Sequence, residues 1–263
     1  MKTLLIFALF FAGITASQAQ IKIGKMKIDT KKAIQAGKDA AGAITLSDED
    51  IAAMSKEYMQ WMDTHNKLAA PDSELGKRLA KITANFPKID GLKLNFGVYE
   101  VIDVNAFACG DGSIRVCAGL MEIMTDDEVL AVIGHEIGHV VHHDSKNAMK
   151  NAYLRSAAKN AAGAMNEKVA KLTDSQLGDL AEAFMGAQFS QKQENAADDY
   201  AFDFCLRQNV DPYAMSKALN KLVELSNAGG EKATRIQKMF SSHPGSAERA
   251  ARLKAKADNL QKK

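Results

Sequence analysis

Two histidines and a glutamate near the middle of the chain have the types and spacing of a metal-dependent hydrolase. His135 and His139 are four residues apart in the segment AVIGHEIGHVVHH, and Glu136 directly follows the first histidine. On a helix each residue turns by about 100°, so the two imidazoles project side by side, one turn apart. Two such histidines can bind zinc while the glutamate acts as a general base. The polar stripe of an ordinary helix would have the same pattern. A metal site is therefore predicted only if a third ligand is found elsewhere in the chain.

The segment FSQKQENAADDYAFDFCLR supplies a candidate for that ligand. Glu194 and Asp198 are four residues apart and share a helical face with small and apolar residues, so a helix there would bury two carboxylates. Burial of unpaired carboxylates is costly, so both require partners. Glu194 is therefore the predicted third ligand of one zinc ion per chain, and Asp198 is placed to accept the outer ring N–H of His135. The alternative is a surface ion-pair network.

The remaining pattern predicts an α+β fold that is predominantly helical, with a small antiparallel sheet beside the HExxH helix. Segments 93–108 and 113–120 are rich in β-branched residues and predict strands. Ser47 caps the first predicted helix, and Thr125 caps the helix that carries the two histidines. Gly134 and Gly138 indicate close helix packing. Further helices are predicted at 147–170, 174–188, 191–208, 212–226 and 247–260, all within one catalytic domain at 46–260.

Composition excludes several classes of function. The 263 residues are 46% hydrophobic, which is enough for a sizeable core. The formal net charge of +2 is small and well mixed, and aromatic residues make up 6% of the chain, so no nucleic-acid surface is predicted. No segment after the N-terminus is long and apolar enough to be predicted to span a membrane.

The first 19 residues have the features of a cleaved signal peptide. Lys2 precedes an apolar run, and Ser17 and Ala19 have the spacing that signal peptidase reads, so cleavage is predicted after Ala19. About eleven apolar residues are too few for a membrane anchor. Residues 20–45 form a basic, solvated leader, with weak contact to a membrane surface as the alternative. The predicted location is periplasmic or secreted, with no lipid-attachment cysteine near the cut.

The three cysteines leave two interpretations open. Cys109 and Cys117 flank the turn-rich GDGS, so a hairpin there could bring them close enough for a disulfide. The alternative is two buried, unpaired thiols in neighbouring strands. Cys205 has no evident partner.

These motifs resemble a known family of peptidases. HExxH followed by E-x-x-x-D resembles the gluzincin metallopeptidases, and E-N-A-A-D resembles the E-x-x-A-D signature of the HtpX-like and CAAX prenyl protease family. The resemblance extends to N-A-F-A at 105–108, to IRVCAGLM, and to S-H-P with an arginine six residues after the histidine. It covers roughly residues 46–260 and is strongest with the small exported bacterial members.

The resemblance implies further site residues. His243 and Arg249 would stabilise the oxyanion, although from residue pattern alone they are ordinary residues of a turn and the following helix. An edge strand would bind an extended polypeptide substrate through its backbone; its residues are Ile114, Arg115, Val116, Cys117 and Ala118. Their alternative is a place in the core of a small sheet. The histidine that often follows the second ligand by five residues is Asp144 here, and no role is predicted for it, His142 or His143.

The resulting hypothesis is an exported zinc metalloendopeptidase that cleaves unfolded or damaged envelope proteins. A deformylase-like metallohydrolase is one alternative, in which Cys109 or Cys117 would bind the metal. A metal-stabilised binding module or chaperone without catalytic activity is the other, and the intact Glu136 argues against it.

Overall fold

The computed structural model describes residues 46–85, 88–89, 92–159 and 172–262. The predicted signal peptide and basic leader, residues 1–45, lie outside them. The described chain is mostly helical with a small sheet, which confirms the predicted α+β class. Its helices are α1 (Asp48–His65), α2 (Glu74–Ile82), α3 (Ala118–Ile123), α4 (Asp126–Val141), α5 (Asp144–Lys159), α6 (Asp174–Met185), α7 (Gln191–Arg207), α8 (Ala214–Ala228), α9 (Gly230–Ser242) and α10 (Ser246–Leu260). Its strands are β1 (Lys88–Ile89), β2 (Leu92–Lys93), β3 (Asn95–Tyr99), β4 (Ala106–Ala108) and β5 (Ser113–Cys117). Over these residues, no helix has the length and apolar character needed to cross a membrane.

Side-chain caps determine where the helices of the site begin. The Thr125 hydroxyl accepts from the backbone N–H of Glu128, and the Glu128 carboxylate accepts from the backbone N–H of Thr125. Ser190 and Gln193 form the same reciprocal box at the start of α7. Each box satisfies two backbone N–H groups that a helix start leaves without partners. The caps predicted at Ser47 and Thr125 are confirmed.

Three helices were not predicted, and two predicted ones differ in extent. The segment of α3 continues the apolar run of β5, and periodicity cannot distinguish a short buried helix from a strand. The second unpredicted helix, α9, starts at a pair of glycines, Gly229 as its N-cap and Gly230 as its first residue, and such a pair indicates a loop instead. The third is α2. The helix predicted at 147–170 begins earlier, at Asp144, and residues 160–171 lie outside the described ones. The helix predicted to reach residue 188 ends at Met185.

The three-stranded sheet has β5 at its centre. β3 pairs with β5 in parallel and β4 pairs with it antiparallel, so the sheet is mixed and not wholly antiparallel as predicted. Residues 114–117 lie in β5, all of them buried, and Ala118 begins α3. The assignment of 114–118 as a substrate edge strand is therefore wrong, because β5 is paired on both sides. The outer strand that packs on α4 is β4.

A partly buried ion pair joins this sheet to α1. Arg115 of β5 donates from Nε and Nη2 to the two carboxylate oxygens of Asp63, at 2.9 and 2.8 Å. The Tyr99 hydroxyl donates to the same carboxylate at 2.8 Å. Arg115 is thus a structural residue of the sheet interior.

All three cysteines are free and buried. β4 and β5 do form the predicted hairpin, but Cys109 lies opposite Ser113, to whose carbonyl its backbone N–H donates. Cys117 is four residues farther along β5, which separates the two cysteines by roughly 13 Å at the rise of an extended strand. A disulfide requires Cα atoms within about 7 Å. The bridge is therefore excluded, and the alternative of buried, unpaired thiols in neighbouring strands is confirmed.

The two helices of the site pack closely because their facing residues are small. A Cβ at Gly138 of α4 would lie 2.9 Å from the Ala197 Cα on α7, and a Cβ at Gly134 would lie 2.8 Å from the ring of Phe204. Both distances are shorter than van der Waals contact. The glycines therefore permit the close approach that the sequence predicted.

Two hydrophobic clusters meet at β4. The larger one contains buried apolar side chains of α4, α7, α8 and the sheet, among them Ala106 and Ala108. The smaller one contains the buried faces of α1, α5 and α6, together with Phe107 and Cys109. Alternate residues of a strand face opposite sides, so β4 contributes to both clusters. The candidate site lies along this boundary.

We expect Gly138→Ala to lower the free energy of unfolding of the metal-free protein by about 1–3 kcal/mol, because the added methyl meets backbone atoms of α7. Gly178→Ala on α6 is the matched control, since its Cβ would have Trp61 as its neighbour at 3.9 Å. Alanine favours a helix over glycine by up to about 1 kcal/mol, so the control should be neutral or stabilised. Denaturant unfolding measures both, and equal stability of the two variants would contradict the close packing.

Candidate active site

Four buried side chains converge where α4 faces α7. His135 and His139 lie on consecutive turns of α4, with their Nε2 atoms 3.1 Å apart. Glu194 of α7 places Oε1 3.2 Å from His139 Nε2 and Oε2 3.6 Å from His135 Nε2. His243, at the end of α9, places Nδ1 3.0 Å from Glu194 Oε1. One donor atom from each of the four lies within 4.8 Å of the others, so the group can hold a metal ion.

The donor chemistry of this cluster fits a divalent metal. Imidazole nitrogens and a carboxylate oxygen are the ligands that zinc and similar ions prefer. Each side chain is buried, with His139 and Glu194 fully inaccessible to solvent. The described residues also offer Glu136 no hydrogen-bond partner for its buried Oε1 atom. A polar atom of this kind requires a partner that the protein itself does not supply.

Asp198 contacts the first of the two histidines of α4. Its Oδ1 lies 3.0 Å from His135 Nδ1, which leaves Nε2 of that ring directed into the cluster. Such a carboxylate fixes the orientation and tautomer of a metal-binding histidine. Asp198 is fully buried, one turn after Glu194, on the face that α7 turns towards α4.

Arg249 of α10 is engaged by these carboxylates. It donates from Nε and Nη2 to the two oxygens of Asp198, at 2.8 and 2.6 Å, and its Nη1 pairs with Glu194. Nη1 also donates to the Pro244 carbonyl at 3.4 Å. With its donors used in this way, Arg249 neutralises the carboxylates and is not free to face a substrate carbonyl, in contrast to the predicted oxyanion role.

Asp144 is a site residue for which the sequence predicted no role. Its Oδ2 lies 3.0 Å from His139 Nδ1, so the second histidine has a carboxylate support like that of the first. The preceding His143 has φ 62°, a left-handed conformation that turns the chain back at the end of α4. The available signal was an acidic residue five positions after His139, which has no helical or strand periodicity to mark it.

A narrow cleft lies beside Glu136 and His243. One wall is the segment from Asn105 to Ala108, which includes β4, and the other includes Phe184 and Phe189. The Phe189 ring stacks on His139 with centroids 4.0 Å apart. The cleft therefore joins Glu136 to an apolar surface and to an outer strand of the sheet.

The backbone of β4 has hydrogen-bonding groups on its open side. The Asn105 carbonyl accepts from Cys117, and the Cys109 N–H donates to Ser113, so these residues face β5. Because backbone groups alternate along an antiparallel pair, those of Ala106 and Ala108 point away from β5. Both alanines line the cleft.

The two carboxylates are held ionised by their partners. Burial alone would raise the pKa of Glu194, but hydrogen bonds from His139 and His243 outweigh burial and hold it far below its usual range. Burial would also raise the pKa of Asp198, but hydrogen bonds from Arg249 and His135 outweigh it and hold this pKa far below its usual range as well. Both groups are therefore anionic and able to neutralise a cation.

The two histidines differ in protonation. Burial lowers the pKa of His135 below its usual value. Burial acts in the same direction on His139, but hydrogen bonds with Asp144 and Glu194 prevail and raise the pKa to about 9. In the metal-free protein His139 is thus the histidine that carries a proton near neutral pH.

Comparison with known proteins gives consistent matches. Residues 73–257 match the description of peptidase family M48. The chain is 38% identical to metalloprotease LoiP of Escherichia coli over 242 residues, which cover 92% of this chain and 94% of LoiP. It is 40% identical to metalloprotease YcaL of the same organism over 228 residues, which cover 86% of this chain and 87% of YcaL. A protease HtpX of Alkalilimnicola ehrlichii is 35% identical over 97 residues, 35% of this chain and 32% of that protein.

We expect the metal-free protein to lose stability as the pH rises from about 6.5 through about 9. The folded pKa of His139 lies above its unfolded value of 6.5, so its proton stabilises the fold fully below pH 6.5 and is lost as the pH passes 9. The lowered pKa of His135 changes stability only below pH 6.5, which is outside this window. Unfolding midpoints measured in a chelator should show the decline, and His139→Gln should flatten it. A flat profile for the wild type would contradict the assignment.

Proposed function

The chain belongs to peptidase family M48, and from this premise we propose that it is an exported zinc endopeptidase acting on unfolded or damaged proteins of the cell envelope. Membership of the family makes it a metal-dependent peptide hydrolase. The observation that supports the finer proposal is the buried cluster of His135, His139 and Glu194 beside Glu136, whose Oε1 has no hydrogen-bond partner among the described residues.

We assign His135, His139 and Glu194 as the ligands of one zinc ion per chain. Two imidazole nitrogens and one carboxylate are the protein ligands of many catalytic zinc sites, which keep a further position open. The carboxylate on the outer nitrogen of each histidine supports the assignment, since it directs Nε2 towards the cluster. Zinc in such a site polarises the scissile carbonyl and promotes the ionisation of water.

Glu136 is the proposed general base. It is buried, lines the cleft and lies next to a ligand in sequence without belonging to the four-residue group that can hold the metal. A carboxylate placed in this way accepts a proton from the attacking water and passes it to the departing amine as the peptide C–N bond breaks. Its role therefore concerns proton transfer and leaves metal binding to its neighbours.

His243 is the proposed oxyanion donor. One ring nitrogen lies against Glu194, and the other lies 3.8 Å from Glu136 Oε1 at the cleft. In its protonated form both nitrogens donate, so one can hold the ring while the other stabilises developing negative charge. Arg249, whose donors face Asp198 and Glu194, is proposed as a positioning residue that keeps both carboxylates in place.

The proposed substrate is a polypeptide in extended form, bound along β4. The outward backbone groups of Ala106 and Ala108 line the cleft beside Glu136, so an added strand would run past the general base. Backbone recognition of this kind selects segments that are not already folded. The aromatic wall formed by Phe184 and Phe189 favours apolar side chains next to the cleavage point.

Two alternatives have less support. A deformylase-like site would need a cysteine ligand, whereas the cluster that can hold a metal contains three histidines and a glutamate among the described residues. Cys109 is buried against Met59, with its Sγ 3.3 Å from the thioether sulfur. A binding module without activity would have no use for a buried carboxylate at position 136.

We expect Glu136→Gln to abolish proteolysis of casein while zinc still binds with one ion per chain, because the amide cannot accept the proton. Glu224→Gln, at an exposed position on α8, is the control and should retain activity. Zinc content and release of labelled peptides measure the two properties. Residual wild-type proteolysis in Glu136→Gln would remove this residue from the mechanism.

We expect His243→Ala to reduce turnover on the order of a hundredfold to a thousandfold, with zinc affinity and KM nearly unchanged, because an oxyanion donor acts in the transition state. Steady-state kinetics and chelator competition separate the two effects. A large loss of zinc affinity would instead assign His243 as a fourth ligand, and unaltered turnover would leave it a structural residue.

Export is supported by the pattern of residues 1–19 alone. We expect mature protein recovered from the bacterial periplasm to begin at Gln20, as measured by intact mass. An uncleaved or lipid-modified N-terminus would refute the proposed signal peptide.

A further inference from the structure

Gln193, in the first turn of α7, links a helix cap to a carboxylate beside the candidate metal site. Its side-chain Oε1 accepts from the backbone N–H and the hydroxyl of Ser190, at 2.9 and 2.8 Å, which caps the helix. Its Nε2 donates to Asp144 Oδ1 at 2.7 Å. The oxygen of this side-chain amide therefore caps the helix, and its nitrogen holds the Asp144 carboxylate.

The other oxygen of the Asp144 carboxylate contacts His139. With Oδ1 engaged by Gln193, its Oδ2 lies 3.0 Å from His139 Nδ1. Asp144 is buried and is the first residue of α5, so the three side chains come from three different helices. In its neutral form, a histidine that donates from Nδ1 to a carboxylate has its lone pair on Nε2, and that nitrogen of His139 lies 3.2 Å from Glu194 Oε1.

We propose that Gln193 and Asp144 form a positioning relay that fixes His139 for metal binding. The proposal rests on the ligand assignment given above and extends it to two residues outside the ligand set. Because Glu194 directly follows Gln193, the same helical turn that supplies one ligand also orients another across the interface between α4 and α7.

A capping role alone and a positioning role predict different effects of Gln193→Glu. Glutamate is at least as good as glutamine in a capping box, since its carboxylate accepts the same bonds from Ser190. It has no N–H to offer Asp144, however, and it places a second carboxylate against the first. The variant therefore preserves the helix start while it breaks the relay.

The chain contains a matched control for this substitution. Thr173 and Gln176 form the same box at the start of α6, with the Gln176 Oε1 accepting from the Thr173 backbone N–H at 2.8 Å. Gln176 is outside the cluster that can hold a metal. Gln176→Glu thus makes the same chemical change in the same capping motif without touching the relay.

The experiment measures zinc affinity of the purified, metal-free protein by competition with a chromophoric chelator, beside the unfolding midpoint in chelator. We expect Gln193→Glu to weaken zinc binding about tenfold and Asp144→Ala about 10- to 100-fold, the usual effect of removing a residue that orients a ligand. Gln176→Glu should bind zinc as the wild type does. Gln193→Glu should remain folded with a lower unfolding midpoint, because its new carboxylate repels that of Asp144.

Wild-type zinc affinity in Gln193→Glu would overturn the relay, even if Asp144→Ala fails to fold. An equal loss in Gln176→Glu would overturn it as well, since the effect would then belong to helix capping. A wild-type protein that binds no zinc would refute the ligand assignment itself, which is a separate outcome from normal zinc binding that is insensitive to Gln193.

Discussion

Glu194 and Asp198 are fully buried on one face of α7, and a buried carboxylate is stable only when N–H groups or positive charge surround it. Arg249 of α10 supplies the positive charge, and the histidines of α4 supply further contacts. Removal of one partner from such a pair commonly costs about 3–5 kcal/mol, because the remaining charge stays buried. The interactions that assemble the site are thus the same ones that hold α4, α7 and α10 together.

Two steric conditions on the backbone allow these charged side chains to come together. Glycine on α4 opposite alanine on α7 brings the helix axes close enough for side chains on both to share one cluster. The turn between α9 and α10 contains Gly245 at φ 78°, a left-handed conformation that residues with a side chain rarely adopt. That turn directs His243 at Glu194, and four residues after the glycine Arg249 reaches Asp198. Both conditions concern the backbone, yet both determine where the polar side chains lie.

Features of the site that depend on residues close together in the chain could be predicted from the sequence. The spacing of His135 and His139, and of Glu194 and Asp198, follows from helical periodicity, and the burial of two acids indicated that the two helices face each other. Sheet order is non-local, so an apolar run such as residues 114–117 was assigned to an edge although it forms the centre. The cysteines illustrate the same limit, because hairpin register and not proximity in sequence decides which side chains meet. Asp144 depends on one left-handed residue that composition does not reveal.

The brevity of β4 has a consequence for how this protein behaves towards other copies of itself. An open strand edge is a template on which any other chain can add a strand, and long exposed edges promote aggregation. β4 has three residues, of which Ala106 and Ala108 direct backbone groups outwards, and its side chains are buried between two clusters. A polypeptide can form few hydrogen bonds to so short an edge, so a second copy gains little by pairing with it. If substrate strands add to β4 as proposed above, each stays only briefly, and the edge is soon free for another.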